Sequence, residues 1–395
     1  MLLPARRVSR VAAPGKISQL HASPEIIPAM NTLTVVKPAK PSAKEPAVSG
    51  TMKALVYHGP NVRAWEDKPK PTILKPTDVI VKIKKTTICG TDLHIMKGDT
   101  PEVKAGRILG HEGVGIVIEA GPAVTDFKPG DRVIISCVTS CGKCAPCRQG
   151  MYSHCEDGGW ILGYMIDGTQ AEFVRIPHAD GSLYHITETD DDEERLVMLS
   201  DILPTGFECG VLNGKVGPGD IVAIIGAGPV GLSALLTAQF YSPAEIIMVD
   251  PDQNRLDVAK VFGATKLVRE NAAEEIMKLT GGKGVDVAIE AVGIPATFGI
   301  CQSIIAAGGR IANIGVHGKS VELHLEKLWS RNITITTRLV DTVTTPLLLK
   351  TVRSGKVEPL KLITHRFPLS EIMKAYDTFG NAAKERALKV ILTNP

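Results

Sequence analysis

Four cysteines fall close together in this chain, as Cys141-x2-Cys144-x2-Cys147-x7-Cys155. A tetrahedral zinc needs four ligands converging within a few ångströms, and tightly spaced cysteines on a loop supply them without help from the distant fold. The competing readings are a disulfide pair or chance clustering. Against them, the other four of the eight cysteines are scattered singly and no apolar secretory core is present.

A second set lies upstream. Cys89 sits in Ile-Cys-Gly-Thr-Asp-Leu-His94, and His111-Glu112 in Leu-Gly-His-Glu-Gly113. A catalytic zinc keeps one coordination position open, so a thiolate and an imidazole from separate loops, plus one further ligand, would build such a site. Taken singly, Cys89 and His111 read as ordinary loop or core residues. Their co-occurrence with the four-cysteine cluster and a nucleotide motif favours the metal.

That motif is Gly226-Ala-Gly-Pro-Val-Gly231, which follows the apolar run 221–225 and opens a helical stretch. Gly226 turns the chain, Gly228 admits a pyrophosphate to the backbone, and Gly231 lets helix pack on strand. Phosphate charge then meets free N–H groups at a helix N-terminus. Asp250 ends the next expected strand and is placed to accept bonds from ribose hydroxyls. A carboxylate there repels a 2′-phosphate, so NAD is expected over NADP.

The elements that must carry these residues follow from the pattern. Between Met52 and about His178, short β-branched runs at 79–83, 115–120, 132–136 and 171–176 are broken by glycine and proline, as in an all-β, barrel-like domain. Residues 190–194, Asp-Asp-Asp-Glu-Glu, read as a solvated helix start or loop. From Asp220, strand-like runs at 221–225, 245–249, 285–290, 310–314 and 333–337 alternate with helical ones, as in a doubly wound parallel sheet. The tail from Arg338 ends in an apolar run, 387–392, expected to fold back onto the first domain.

At 395 residues, 44% hydrophobic and 22% charged, the chain is long enough for two soluble domains, with no apolar stretch of membrane-spanning length. Residues 1–51 hold seven Lys/Arg and two acids, leaving 38 basic against 40 acidic residues for 52–395. The globular part is therefore near neutral, which argues against a nucleic-acid surface. Residues 1–51, rich in proline, are expected to be disordered. They read either as a mitochondrial targeting peptide or as a dispensable leader, with Met30 or Met52 the start. A reducing compartment, the cytoplasm (or the mitochondrial matrix), suits free zinc thiolates.

From Met52 to the C-terminus, the order of the Gly-His-Glu motif, four-cysteine lobe and glycine fingerprint resembles the zinc-containing medium-chain alcohol dehydrogenases. The resemblance implies an α/β fold with a GroES-like catalytic domain at 52–201, its four-cysteine lobe at 137–156. It further implies a Rossmann domain at 202–337 and a return to the catalytic domain at 338–395. Two zinc ions per chain are implied, with NAD as cofactor. Cys89 and His111 would be catalytic ligands and Glu112 an adjacent acid able to approach the metal. Cys141, Cys144, Cys147 and Cys155 would hold a structural ion. The third catalytic position, commonly Cys in horse-liver-type enzymes, is here Asp201 in Ser-Asp-Ile-Leu-Pro-Thr-Gly206, as in bacterial secondary-alcohol and formaldehyde-dehydrogenase-like branches. The plainer role for Asp201 is to cap the helix beginning after it.

By the same resemblance Thr91 passes the alcohol proton towards His94, and Asp92 orients His111. Thr205 and Val230 would touch the nicotinamide, Gly315 and Val316 its carboxamide, Arg255 the adenosine ribose and Lys389 the pyrophosphate. Gly90 replaces a basic phosphate contact, and Trp160 aligns with a pocket-wall residue. The implied activity is reversible hydride transfer from a small primary or secondary alcohol to NAD, giving an aldehyde or ketone, in a homodimer or homotetramer. Polyol, threonine and formaldehyde dehydrogenases of the same family are alternatives. An alternative of another class is a nucleotide-binding relative without turnover.

Overall fold

The computed structural model describes residues 50–188 and 190–395, so residues 1–49 of the basic segment lie outside the described residues. Thr51 already belongs to β1 (Thr51–Gly59), which pairs with β2 (Val62–Pro69) and β4 (Arg107–Ile108). Next to this small sheet lies a larger one. It contains β3 (Val79–Thr87), β5 (Gly113–Ala120), β6 (Arg132–Ile135), β7 (Phe173–Ile176) and β8 (Leu183–His185). Two strands from the far end of the chain, β15 (Ile363–Pro368) and β16 (Lys389–Thr393), complete it. The order is β15-β16-β3-β5-β6-β8, with β7 also on β3. Ile391 opposes Thr87 in the β16–β3 ladder, so the chain after the second sheet returns to the first.

The second sheet contains β9 (Ile221–Ile225), β10 (Glu245–Val249), β11 (Lys266–Val268), β12 (Val285–Glu290), β13 (Ile305–Asn313) and β14 (Thr334–Thr337). All its pairs are parallel, in the order β11-β10-β9-β12-β13-β14. Along β9, Val222 and Ile224 enter one apolar core while Ala223 and Ile225 enter another, as a two-residue period on a sheet covered on both faces requires. The strand order reverses beside β9. A crevice therefore opens between the C-terminal ends of β9 and β12, where open α/β sheets bind ligands.

Between the sheets runs a helix, Ile202–Thr205, which continues as a π-helical stretch, Gly206–Leu212. Three glycines in and just after it let it lie close to the nucleotide domain, one against the helix Pro229–Ala238 and two against the sheet. A Cβ on Gly206 would stand 2.6 Å from the Ala234 nitrogen, one on Gly210 2.8 Å from Ile314 Cδ1, and one on Gly214 2.9 Å from Val287 Cγ1.

Two expectations change on contact with the structure. The strand expected at 310–314 begins at Ile305, because a register shift between Val285 and Val287 of the neighbouring β12 absorbs the small residues before Arg310. The acidic run expected to be solvated forms the helix Asp190–Leu196, in which Glu193 is fully buried against Arg132. Glu194 pairs with Arg366 at 2.7 Å and with Lys85 at 3.5 Å, so cations on the large sheet draw this run inward. Among the described residues, no helix is long and apolar enough to cross a membrane.

Candidate active site

Sulfurs of Cys141, Cys144, Cys147 and Cys155 lie within 4.8 Å of one another. All are free thiols, and Cys144 Sγ stands 3.9 Å from Cys155 Sγ, far beyond a disulfide bond. Backbone N–H groups of Glu156 and Cys147 aim at Cys144 and lower its thiol to about 7. Burial pushes Cys147 up to about 12. Four sulfurs clustered this closely fit a tetrahedral dication, which favours the thiolate at every position.

The second cluster joins Cys89, His111, Glu112 and Asp201, again with donor atoms within 4.8 Å. Cys89 caps the helix Gly90–Lys97, His111 and Glu112 end the loop before β5, and Asp201 precedes the linking helix. His111 Nε2 is 3.2 Å from Asp201 Oδ2, and Cys89 Sγ is 4.0 Å from that oxygen. Metal–ligand bonds of about 2.0–2.3 Å in a tetrahedron give ligand–ligand edges of roughly 3.3–3.8 Å, so the donors stand near coordinating distance. The Asp201 carboxylate makes no capping bond to the helix it begins. It faces His111 and accepts from Thr205 Oγ1 at 2.5 Å. Burial disfavours the His111 cation, yet Asp201 and Cys89 outweigh it and raise the imidazole well above its ordinary value. A pocket that holds a proton so firmly carries the negative charge that a dication would neutralise.

Around these donors stands a supporting ring. Asp92 Oδ2 accepts from the Cys89 backbone N–H at 2.9 Å and from Gln170 Nε2 at 3.0 Å, while its Oδ1 lies 3.9 Å from His111 Nδ1. At that separation Asp92 holds the Cys89 turn rather than hydrogen-bonding His111. Gln170 in turn accepts from the buried Tyr376 hydroxyl at 2.8 Å. Trp160 meets the His111 ring edge-on at 5.9 Å and walls the site. Thr91 Oγ1 lies 3.7 Å from Cys89 Sγ, and His94, half-buried, pairs with Asp99 at 2.8 Å. Among the described residues, no hydrogen bond joins Thr91 to His94.

Lys389, expected at the pyrophosphate, points to the metal cluster in this structure. Its side chain is 1% exposed, and its ammonium sits 2.7 Å from the Glu112 carboxylate, with Ile88 O at 3.4 Å. Strand β16 turns it inward because a buried Glu112 needs a counter-ion. Thr87 Oγ1 donates to Glu112 Oε2 at 2.5 Å, one of the two oxygens the ammonium meets. Glu112 is thus held between Lys389 and Thr87, with Oε1 4.0 Å from His111 Nε2. The motif named Glu112 but not its restraints. Gln170 and Thr87 carry no spacing signal at all.

At the crevice, Gly226 adopts φ +106°, and a Cβ on Gly231 would stand 1.9 Å from Gly226 O. Nothing lies within 4 Å of a Cβ built on Gly228, which leaves room at the N-terminus of the helix Pro229–Ala238. Val230, one residue into that helix, packs partly buried against the core. Asp250 accepts from the Ala227 N–H at 2.8 Å, with Arg255 Nη1 at 3.7 Å. Gly315 lies after β13, its N–H donating to Glu290 O at 3.2 Å, and Val316 beside it is 58% exposed. Thr205 lies on the linking helix and donates to Asp201 at the edge of the metal cluster.

Family models for an alcohol dehydrogenase GroES-like domain and a zinc-binding dehydrogenase match residues 75–187 and 229–352. An alcohol dehydrogenase of Cupriavidus necator strain H16 is 35% identical over 373 residues, spanning 87% of this chain and 99% of that protein. Among solved structures, apo zinc-dependent alcohol dehydrogenase 2 from Streptococcus pneumonia is 60% identical with a TM-score of 0.82, covering 87% of this chain and 98% of that one. An E. coli CFT073 short chain alcohol dehydrogenase complexed with NADH is 27% identical, with a TM-score of 0.78 and coverage of 87% and 99%. A Sinorhizobium meliloti zinc-binding dehydrogenase bound to NADP is also 27% identical, with a TM-score of 0.77 and the same coverage.

Proposed function

Because the chain belongs to the zinc-containing medium-chain alcohol dehydrogenases, we propose that it oxidises small primary or secondary alcohols reversibly with NAD. The observation that carries this reading is the Cys89, His111 and Asp201 donor set, buried beside the nucleotide crevice and walled by Trp160. Cys89, His111 and Asp201 would hold a zinc whose Lewis acidity would act on an alcohol or carbonyl oxygen, and the glycine crevice would hold the nicotinamide cofactor that supplies hydride chemistry.

The remaining work falls to the chain. Glu112, restrained by Lys389 and Thr87, leaves a coordination position to the substrate. Thr91 offers the hydroxyl placed to take the alcohol proton. His94, paired with Asp99 near the surface, holds it within reach of solvent. Trp160 and Tyr164, 5.1 Å apart, keep water from the reacting carbon. Asp250 favours NAD through the negative charge it places at the ribose end, which a 2′-phosphate would meet as a like charge.

Two zinc ions per chain are proposed, the second in the four-cysteine lobe. Eight unpaired cysteines suit a reducing compartment such as the cytoplasm. A homodimer or homotetramer is proposed as well. Strand β14 has an open edge, and Trp329 beside it is 78% exposed, so edge pairing about a two-fold axis would cover both. A panel of alcohols tested with NAD and NADP, on protein of measured zinc content, decides the reading. NADH formation with two zinc ions per chain is expected. Zinc without turnover would instead point to the non-catalytic relative.

A further inference from the structure

The loop at residues 338–344 carries more buried polar contacts than a simple connection needs. It leaves β14 and reaches the nine-residue helix Thr345–Arg353, whose N-cap is Thr344. Asp341 is 4% exposed. Its Oδ1 accepts from the Ser153 backbone N–H at 2.9 Å and from Ser153 Oγ at 2.7 Å, and its Oδ2 accepts from Arg338 Nη2 at 2.7 Å. The Asp341 N–H donates to Glu208 Oε2 at 2.9 Å, while Thr344 donates to Oε1 from both N and Oγ1 at 2.9 Å.

Glu208 is 1% exposed, and among the described residues no basic side chain pairs with it. Its charge is met by three donors gathered at the start of the Thr345–Arg353 helix, where the macrodipole favours an anion. Between these anchors Thr342 takes φ +60°, a region β-branched residues rarely enter and hold only when their surroundings impose it. The surroundings do so. Thr342 Oγ1 bonds Ser136 Oγ at 2.8 Å, and its carbonyl accepts from the Tyr184 hydroxyl at 2.8 Å.

Each end of this network leads to one metal cluster. Ser153 precedes Cys155 by two residues, and its carbonyl accepts from the Trp160 N–H at 3.3 Å, the same tryptophan that meets His111. Glu208 lies in the π-helical stretch that continues the helix begun at Asp201, a register seen mostly as an inserted turn at functional sites. Two buried carboxylates persist here because every oxygen is satisfied, so losing any one donor is costly and the network holds or gives way as a unit.

We propose that Glu208 and Asp341 are positioning residues that tie the four-cysteine lobe to the helix bearing Asp201, so that the lobe's metal governs how firmly the catalytic metal is held. This rests on reading Cys89, His111 and Asp201 as the catalytic metal site. The coupling is mechanical. Loss of the lobe metal frees Ser153, Asp341 loses two donors, the 338–344 loop relaxes, and Glu208 no longer fixes the turn that aims the Asp201 carboxylate.

The test uses the full chain with zinc in the four-cysteine lobe and cobalt(II) in the catalytic site alone, so that the visible absorption reports thiolate ligation at Cys89, titrated against a graded chelator. Asp341→Asn and the milder Ser153→Ala should give up cobalt from the catalytic site at roughly tenfold lower chelator concentration, the order found when residues supporting metal ligands are removed. Ser153→Thr, which keeps the hydroxyl donor, should behave as wild type. Cys144→Ala should weaken the catalytic cobalt similarly, and adding Ser153→Ala to it should change nothing more, because both act along one path. Faster amide exchange at residues 338–344 in Ser153→Ala, before any change in turnover, is the second expected readout. Wild-type cobalt retention in both Asp341→Asn and Ser153→Ala, or additive losses in the double variant, would overturn the inference. A wild-type protein showing no thiolate–cobalt absorption from Cys89 would overturn the catalytic-site reading along with it.

Discussion

At Asp250, one carboxylate holds the glycine turn and stands at the end of the strand where the proposed ribose contact would be. Its Oδ2 fixes the glycine turn through the Ala227 N–H, and Oδ1 accepts from Asp252 N at 2.9 Å. Removing it should therefore relax cofactor choice and loosen the turn together. Asp250→Ser should narrow the NAD preference by roughly ten- to a hundredfold, about 1.4–2.7 kcal/mol. Equal kcat/KM for NAD and NADP in the wild type would refute the assignment. Lys389 poses the opposite question. A lysine that touched pyrophosphate would, on substitution, weaken NAD binding and spare stability. A lysine that neutralises a buried Glu112 should do the reverse. Lys389→Met is accordingly expected to destabilise the protein by about 3–5 kcal/mol, because it leaves an unpaired charge inside. NAD affinity of the folded fraction, measured by fluorescence titration, should stay near wild type, and a large loss there would restore the phosphate role.

Among the elements, the segment before the helix Asp190–Leu196 is pinned to the helix Thr345–Arg353. Arg353 donates to both oxygens of Glu188, at 2.5 and 2.8 Å, and its guanidinium holds that carboxyl down at about 2. A depressed native value means the pair stabilises the fold above the unfolded carboxyl's ordinary range near 4.5 and fades as pH falls towards 2. Glu188→Gln should cost less than about 1 kcal/mol at neutral pH, since Arg353 is partly in solvent. Urea unfolding should show the gap narrowing below pH 4.5; an unchanged gap down to the acid limit of folding would argue against the linkage. Elements such as this show where sequence reading stops. The metal donors were legible because coordination chemistry prescribes residue type and close spacing, and Cys141 to Cys155 satisfy it locally. Strands β9, β10 and β12 were legible because burial on both faces leaves continuous apolar runs. The groups that hold the donors were not. Gln170 meets Asp92 across 78 positions, Asp341 meets Glu208 across 133 and Lys389 meets Glu112 across 277. No local periodicity records such pairs, and the π-helical register at Gly206–Leu212 differs from an α-helix by one residue in a turn. The same distance in sequence hid the pairing of Lys389 with Glu112, which depends on a strand pairing that only the folded sheet creates.

Across the whole molecule, the catalytic donors come from two differently mounted parts. Cys89 and His111 belong to the β-rich domain, whereas Asp201 begins the helix laid by Gly206, Gly210 and Gly214 against the frame that carries the nucleotide crevice. A helix packed this closely on its neighbours behaves as one piece with them. A dication bound across all three donors would therefore staple the nucleotide frame to the β-rich domain, and NAD bound in the crevice would feel whether the staple is closed. Thermodynamic reciprocity then applies: whatever factor the metal adds to NAD affinity, NAD must add to metal affinity. Couplings between sites usually run from about 5- to 150-fold. Dissociation constants for NAD with and without the catalytic metal, paired with metal retention with and without NAD, should reveal such a factor, and a value of one would show the two sites to be independent. Gly206→Ala should shrink it, because the added methyl would lever the helix away from Ala234 and let the metal and the nucleotide part company. Three missing side chains would then make the protein's two ligands answer to each other, a form of bookkeeping that neither site could impose alone.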